Sequence, residues 1–263
     1  MSEPSTHPEE YHDTLQDMLE LVWGEGFLSP GGPEAVRAIV GNLNLSGKQV
    51  LDVGCGLGGI DVLLAREYEA HVLGLEVERR LVERARRRIE ELGLSNQVEI
   101  RLYAPGPLPI PDKSMDVVFG KDSWIHIEDK QGFFAEIFRV LKPGGWLAAG
   151  DWMRGAEPYS QDMEYFFELE GLTYHMDTLE NYGRGLRQCG FLEVELMDIS
   201  EAYRSQAHAE YQSMLGPLNA PMREMLGEQA QAHFIENWRA MTVVLDNGEL
   251  RPGRLWARKP AAR

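Results

Sequence analysis

The sequence predicts an α/β fold built on a doubly wound, mostly parallel seven-stranded sheet, with an N-terminal helical lid and a cap insertion. Three observations lead to this class. Short apolar stretches alternate with amphipathic stretches of helical length along most of the 263 residues, which is the pattern of parallel βαβ units with right-handed crossovers. A glycine-rich turn follows the first apolar strand. A segment rich in tyrosine, phenylalanine and glutamate then interrupts the alternation over residues 153–178.

Residues 1–32 are predicted to form a disordered tail followed by the lid. Residues 1–8 are polar and lack apolar periodicity, which is typical of a tail. Apolar side chains then recur at helical spacing over residues 11–23, and this predicts an amphipathic helix. The glycines and the proline that follow end this helix. Pro33, a favoured first-turn residue, begins a second helix that runs to about residue 43.

The remainder of the chain, residues 33–263, is predicted to form the main domain. Its strands are expected over residues 50–53, 71–75, 98–102, 115–119, 146–150, 192–197 and 250–257. Its helices are expected over residues 60–68, 78–92, 130–141 and 178–189, the last with Thr178 as its N-cap. The cap insertion at about 153–178 separates the fifth strand from the last of these helices. A longer helical stretch at about 201–244, broken near Gly216, precedes the final strand.

Composition and charge exclude several classes of protein. The formal net charge of −16 argues against a nucleic acid partner, because an acidic surface repels phosphate backbones. The basic run over residues 79–88 alternates with glutamates, which predicts a salt-bridged helix surface. No apolar run reaches the roughly 18 residues that span a bilayer, so no membrane partner and a cytoplasmic location are expected. Cys55 and Cys189 lie far apart, so neither a disulfide nor a metal site is predicted.

The glycine-rich turn carries the clearest chemical signal. Its spacing is Asp52-x-Gly54-x-Gly56-x-Gly58. Glycines at the carboxyl end of a strand let the backbone approach a ligand closely, and the next helix offers N–H groups. Glu76 ends the second strand, where a carboxylate can accept both hydroxyls of a ribose. The spacing differs from the G-x-G-x-x-G of dinucleotide-binding proteins, although a domain that binds another nucleotide stays open as an alternative.

Four motifs together resemble those of the class I S-adenosylmethionine-dependent methyltransferases. They are residues 51–59 (Leu-Asp-Val-Gly-Cys-Gly-Leu-Gly-Gly), the acid Glu76, the fourth-strand residues 116–118 (Asp-Val-Val) and residues 141–145 (Leu-Lys-Pro-Gly-Gly). The resemblance implies a Rossmann-like fold, S-adenosylmethionine as the cofactor and S-adenosylhomocysteine as its product. The cofactor-binding residues that it implies are Leu28, Ser29, Asp52, Gly54, Gly56, Glu76, Val77, Ala104, Pro105 and Lys121.

A narrower resemblance extends over most of the chain. Residues 11–13 (Tyr-His-Asp), 23–32 (Trp-Gly-Glu-Gly-Phe-Leu-Ser-Pro-Gly-Gly) and 121–126 (Lys-Asp-Ser-Trp-Ile-His) are similar to the phosphoethanolamine N-methyltransferases. Glycine, sarcosine and dimethylglycine N-methyltransferases share part of this pattern. The resemblance implies that the N-terminal helix covers the active site and that Tyr11 and His126 form the catalytic pair. It also implies that Asp122 faces the amine of the acceptor.

The sequence departs from the phosphoethanolamine enzymes where those enzymes bind the phosphate. Their lid tyrosine, cap arginine and last-strand lysine correspond here to Leu19, Leu172 and Trp256, while a cap tyrosine remains as Tyr174. A phosphate dianion that loses both cations loses its strongest partners, so phosphoethanolamine is not the predicted acceptor. The third-motif aspartate is also replaced, by residues 103–105 (Tyr-Ala-Pro), so backbone groups are expected to bind the adenine.

The predicted function is transfer of a methyl group from S-adenosylmethionine to a nitrogen of a small amine metabolite. An amine must lose a proton before or during its attack, and histidine titrates in the range that suits such a base. The predicted substrate-binding residues are Asp122, Trp152, Tyr174 and Trp256, since aromatic rings stabilise an ammonium group by cation–π attraction. Structural roles stay open for the same residues: packing for the aromatic rings, for Tyr11 and for the His126 imidazole, and helix capping for Asp122.

Two other functions are consistent with the sequence. A C- or O-methyltransferase of a natural-product or terpenoid intermediate would suit the aromatic residues Trp124, Trp152 and Trp256. A cofactor-binding module without catalysis is the third hypothesis. In each enzymatic case the partner is a small-molecule substrate, and the protein is expected to be a monomer or a homodimer.

Overall fold

The computed structural model describes residues 13–155 and 158–262 and contains a seven-stranded sheet of order β3-β2-β1-β4-β5-β7-β6. The strands are β1 (Gln49–Val53), β2 (His71–Glu76), β3 (Val98–Leu102), β4 (Met115–Lys121), β5 (Leu141–Asp151), β6 (Leu192–Asp198) and β7 (Gly253–Arg258). Strands β1 to β5 pair in parallel, whereas β7 runs antiparallel to both β5 and β6. The predicted fold class is confirmed.

Ten α-helices lie in the described part of the chain. They are α1 (Asp13–Trp23), α2 (Gly32–Val40), α3 (Gly59–Tyr68), α4 (Arg79–Glu91), α5 (Lys130–Val140), α6 (Gln161–Glu170), α7 (Leu179–Gln188), α8 (Ser200–Leu215), α9 (Asn219–Leu226) and α10 (Glu228–Asp246). A 3₁₀ turn, Trp124–His126, follows β4. Thr178 caps α7 as predicted, because its hydroxyl accepts a hydrogen bond from the Asn181 amide at 3.2 Å. None of the described helices is both long and apolar enough to cross a bilayer.

Both faces of the sheet are covered. Successive residues of β1 belong to opposite layers, with Val50 in one apolar cluster and Leu51 and Val53 in the other, because side chains alternate along a strand. Consequently β1 reads as a continuous apolar run rather than as an alternating one. The layer that contains Val50 also includes residues of α1, α6, α8, α9 and α10.

Several predicted boundaries were wrong: the last strand begins at Gly253 rather than at residue 250, and α2 ends at Val40 rather than near residue 43. Long-range contacts explain the largest difference in the sheet. The fifth strand was expected to begin at residue 146 but begins at Leu141. Met115 pairs with Leu141 and Val117 with Trp146, so the intervening residues form a bulge within the strand. Gly144, at φ +80°, donates its N–H to the Lys259 carbonyl at 2.9 Å. The predicted long helix is also broken a second time, at Gly227, where φ is +77°.

Two arginines of the basic run on α4 form ion pairs with acidic residues of α1. Arg84 and Arg88 bind the carboxylate of Glu20, and Arg84 also reaches Asp17 at 2.5 Å. The Glu20 oxygen that binds Arg88 also accepts a hydrogen bond from the Gly26 N–H, at 2.5 Å. These contacts fix α1 and the loop that follows it against the main domain.

The loop after α1 lies directly on the start of α3. The Gly59 N–H donates to the Gly26 carbonyl at 3.1 Å. A Cβ atom at Gly59 would lie 2.6 Å from backbone atoms of Gly26, so only glycine permits this approach. The sequence of residues 24–32 therefore matters for how the N-terminal loop covers the glycine-rich turn.

Candidate active site

The glycine-rich turn bends the chain from β1 toward β2. Gly54, Gly56 and Gly58 have φ values of +85°, +54° and +79°, a region that favours glycine. The N–H groups of Gly54 and Cys55 both donate to the Leu75 carbonyl, at 2.8 and 3.1 Å. Gly54 and Gly56 are partly exposed, whereas the residues next to them are buried. The turn therefore presents bare backbone at the carboxyl edge of the sheet.

Glu76 lies beside this turn at the end of β2, and its carboxylate is oriented by backbone amides. One oxygen accepts from the Gly56 N–H at 3.0 Å. The other accepts from the N–H groups of Val77 at 2.6 Å and Glu78 at 3.0 Å. The Val77 side chain next to it is exposed. A fixed carboxylate beside accessible turn backbone fits the ribose of a nucleoside cofactor, so the residues present fit S-adenosylmethionine.

Two further carboxyl groups are buried beneath the turn. Asp52 and Asp61 are fully buried, and neither side chain has a hydrogen-bond partner among other described residues. Asp52 pairs in register with Gly74, and an Asp61 oxygen would lie only 2.6 Å from a Cβ atom on Gly74. Burial raises the pKa of both groups, that of Asp61 to about 7. Asp52, predicted to bind the cofactor, is thus fully buried within β1.

Replacing Asp61 with asparagine should stabilise the protein above neutral pH. A carboxyl whose pKa is raised by folding stabilises the native state below its unfolded pKa, and that contribution is lost as the pH rises through about 7. The amide resembles the protonated acid, so the variant should gain about 2 to 4 kcal/mol in unfolding free energy near pH 8 and about nothing near pH 4. Urea unfolding at both pH values, with the exposed-site variant Glu90→Gln as control, measures this. An equal effect at both pH values would contradict it.

Lys121 is a buried cation that ties the N-terminal loop to the end of β4. Its ammonium group donates to the Ser29 hydroxyl at 2.6 Å, the Pro30 carbonyl at 2.8 Å and the Asp122 carboxylate at 2.5 Å. An ammonium group has three donors, so these three contacts use all of them. Lys121 and Ser29, both predicted to bind the cofactor, are thus joined by a direct hydrogen bond. Asp122 adopts a left-handed conformation at φ +54°.

His126 ends the short 3₁₀ turn after β4 and contacts the segment before α7. Its Nδ1 lies 3.1 Å from the Thr173 carbonyl oxygen. Because a carbonyl can only accept, we assign the proton to Nδ1, which places the lone pair of the imidazole on Nε2. The ring lies 5.4 Å from that of Tyr174, centroid to centroid. A neutral imidazole held in this way has its acceptor atom at Nε2.

A cavity of about 770 Å³ opens beside His126 and Asp122. Leucine, tryptophan, phenylalanine, isoleucine, alanine and proline make up just over half of its lining, and no lysine or arginine lines it among the residues that the structure describes. The predicted site residues that line it are Leu28, Ser29, Asp122, His126, Trp152 and Tyr174. Leu19 and Leu172, the predicted replacements for phosphate-binding side chains, also line it.

Several predicted site residues lie elsewhere. Trp256 does not line the cavity: its indole N–H donates to the Ile39 carbonyl on α2 at 2.7 Å, because β7 directs this side chain toward α2. Ala104 and Pro105 are exposed in the loop after β3. The Tyr103 N–H donates to the Glu76 carbonyl at 3.0 Å, which keeps this loop beside Glu76. Tyr11 lies outside the described residues.

Sequence reasoning missed five polar residues in the cavity wall: Glu170, Glu228, Gln229, His233 and Asn237. Glu170 ends α6, and His233 and Asn237 lie one turn apart on α10. A buried asparagine between the apolar residues Phe234 and Met241 was the available signal. Within residues 13–155 and 158–262, no group of three or more His, Cys, Asp or Glu side chains could hold a metal ion.

Comparisons with known proteins bear on the family of this chain. A family model described as "Methyltransferase domain" matches residues 51–149. Phosphoethanolamine N-methyltransferase 1 of Zea mays is 31% identical over 244 residues, which is 91% of this chain and 47% of that protein. Methyltransferase GfsG of Streptomyces halstedii is 32% identical over 249 residues, 88% of this chain and 87% of that protein. The chain spans less than half the length of the plant relatives that it matches.

A solved structure supports the fold. Phosphoethanolamine N-methyltransferase 2 of Haemonchus contortus, in complex with phosphomonomethylethanolamine and S-adenosylhomocysteine, has a TM-score of 0.88 at 22% identity and covers 96% of this chain and 59% of its own. With the 32% identical relative that the chain nearly spans, these findings establish the family. The chain belongs to the class I S-adenosylmethionine-dependent methyltransferases, and S-adenosylmethionine is its cofactor.

Proposed function

We propose that this enzyme methylates a hydroxyl oxygen of a large, mostly apolar small molecule. The observation that carries the proposal is the cavity of about 770 Å³ beside His126, with its apolar lining and no described cationic side chain. Cavities of this size take drug-sized molecules. A phosphate or carboxylate acceptor would find no strong partner there. The acceptor is therefore larger and less anionic than phosphoethanolamine.

The contacts of Asp122 favour an oxygen over an amine as the methylated atom. Its carboxylate already holds the ammonium group of Lys121 at 2.5 Å, and both side chains are largely buried. A protonated amine beside Asp122 would therefore meet a charge that is already compensated. A hydroxyl has no such need, and it requires only that a base take its proton as the oxygen attacks.

His126 is the proposed base. Bound S-adenosylmethionine supplies an electrophilic methyl group, so the chain must align the acceptor, exclude water and receive one proton. The Thr173 carbonyl fixes the imidazole through Nδ1, and the Nε2 lone pair receives the proton of the acceptor hydroxyl. The loop held by Lys121 and the rings of Trp152 and Tyr174 close the cavity around the reacting atoms.

An amine acceptor is the second candidate. The cavity wall carries the carboxyl side chains of Asp122, Glu170 and Glu228, and such a wall attracts cations. Curated relatives named phosphoethanolamine N-methyltransferases also match most of the chain. The sequence-based expectation of nitrogen methylation therefore stays a prediction, as do carbon methylation, the cytoplasmic location and the monomeric or homodimeric state.

Radiolabelled S-adenosylmethionine and a matched acceptor panel test the proposal. The panel pairs macrocyclic and terpenoid alcohols with the corresponding primary amines, and adds phosphoethanolamine and geranyl diphosphate. We expect label in the uncharged alcohols and none in the two phosphorylated compounds. Label in the amines alone would replace the oxygen proposal with the second candidate. Label in phosphoethanolamine alone would overturn the assignment of a large apolar acceptor.

A further inference from the structure

The cavity wall formed by α6 and α10 contains a polar cluster that the methyl transfer does not use. Glu170 is at its centre, and one of its carboxylate oxygens accepts a hydrogen bond from the Tyr174 hydroxyl at 2.5 Å. The side-chain amide of Asn237 also donates to this carboxylate. Burial raises the pKa of Glu170, while both hydrogen bonds and nearby His233 act in the opposite direction.

Asn237 leaves one strong acceptor unsatisfied in this cluster. Its side chain is only 8% exposed, and its Oδ1 has no hydrogen-bond partner among the described residues. Asn237 lines the cavity together with Glu170. Buried amide oxygens are nearly always paired, and one that is not usually awaits a ligand or an ordered water. The unsatisfied atom borders the proposed acceptor cavity.

The third member, His233, adds another acceptor at the edge of the cluster. Its Nε2 lies 3.1 Å from the Leu169 carbonyl, so Nε2 carries the proton and Nδ1 carries the lone pair. The donors of Tyr174 and Asn237 are already directed to Glu170. The cluster therefore offers carboxylate, amide and imidazole acceptors, and a complementary ligand must supply donors.

We propose that Glu170, Asn237 and His233 form a recognition subsite for a hydrogen-bond-donating group of the acceptor, a hydroxyl or a protonated amine that is not itself methylated. This inference rests on the proposed function, because it assumes that the acceptor fills the cavity. The acceptor must then be mostly apolar and must also carry one hydrogen-bond donor group. An ether, a ketone or a carboxylate at that position would face acceptors only.

Binding of simple amphiphiles to the protein loaded with S-adenosylhomocysteine tests the subsite. The probes are decan-1-ol, decylamine, methyl decyl ether and decanoate, and the readout is the fluorescence of the cavity tryptophans Trp23, Trp152 and Trp238. We expect the alcohol and the amine to bind about tenfold more tightly than the ether, because each makes a hydrogen bond that the ether cannot make. Decanoate should bind most weakly.

Two variants and a control locate the effect. Glu170→Gln keeps the shape of the side chain and removes its charge, so decylamine should bind about tenfold more weakly and the ether unchanged. Asn237→Leu removes the unsatisfied oxygen and should weaken decan-1-ol by a similar factor. Glu168→Gln, an exposed position on the same helix, should match the wild type for every probe.

The outcomes separate this proposal from the proposed function. If the ether binds the wild type as tightly as the alcohol and the amine do, or if neither Glu170→Gln nor Asn237→Leu alters any affinity, the cluster holds only water and the inference is wrong. Loss confined to decylamine in Glu170→Gln assigns the subsite to an ammonium group, and equal loss for decan-1-ol assigns it to a hydroxyl. Because this experiment measures the affinity of the probes and not methyl transfer, its result stays valid even if no member of the acceptor panel is methylated.

Discussion

Replacing His126 with alanine is expected to lower kcat by about a hundredfold to ten-thousandfold, the usual contribution of a positioned general base. The affinity for S-adenosylhomocysteine should not change, because His126 lies in the acceptor cavity and Glu76 lies beside the cofactor turn. Single-turnover transfer with an acceptor from the panel measures the first quantity, and calorimetry measures the second. A loss in kcat without a loss of cofactor binding would place His126 in the proton transfer.

A second substitution at this position separates chemistry from structure. His126→Asn retains a side-chain N–H for the Thr173 carbonyl but has no basic nitrogen, so its kcat should be as low as that of the alanine variant. His208→Ala serves as the matched control, because His208 pairs with Asp246 at 3.0 Å outside the cavity and its loss should leave kcat unchanged. Wild-type turnover by His126→Asn would remove His126 from the mechanism.

Replacing Glu76 with alanine is expected to weaken S-adenosylmethionine binding by about a hundredfold or more. The carboxylate accepts hydrogen bonds from three backbone amides, and it is the group that fits the cofactor ribose. Each hydrogen bond to a charged group contributes about 1.5 to 3 kcal/mol, and a loss of about 2.7 kcal/mol corresponds to a hundredfold change in Kd. Calorimetric titration with S-adenosylhomocysteine measures the effect directly.

Controls for Glu76 must distinguish a lost ligand from a collapsed turn. Glu83→Ala, at an exposed position on α4, should bind the cofactor like the wild type. Glu76→Gln preserves an oxygen acceptor and should fall between the wild type and the alanine variant. If the alanine variant bound S-adenosylhomocysteine with wild-type affinity, the cofactor would not depend on this carboxylate, and the assignment of the nucleoside site would be wrong.

Local patterns explain why the fold could be predicted from the sequence. The alternation of strands and helices, the glycine-rich turn and the Thr178 cap each depend on residues close together in the chain. The boundary of β5 could not be predicted in this way. Its early start depends on pairing between Met115 and Leu141 and on the Lys259 carbonyl, and such contacts leave no periodic signal in the strand itself.

The residues of the candidate site also differ in whether they could be predicted from local sequence. The glycines of the turn and Glu76 form one local motif, and sequence alone pointed to them. Glu170 and Asn237 meet only because α6 packs against α10, so no spacing rule could pair them. Trp256 shows the converse difficulty. The family resemblance predicted that it contacts the acceptor, but its indole N–H donates a hydrogen bond to the Ile39 carbonyl on α2.

The sheet and the helices contribute to two different properties of the enzyme, cofactor binding and acceptor selectivity. The turn after β1 and the end of β2 form the candidate cofactor site, whereas α1, α6, α9 and α10 supply much of the wall of the cavity proposed for the acceptor. Substitutions in those helices can change which molecule is accepted while the methyl donor and its binding energy stay the same. Substitutions in the cavity-lining helices are therefore a route to new acceptors. A library confined to the cavity-facing positions of α6 and α10 should yield variants with altered acceptor selectivity that still transfer the methyl group.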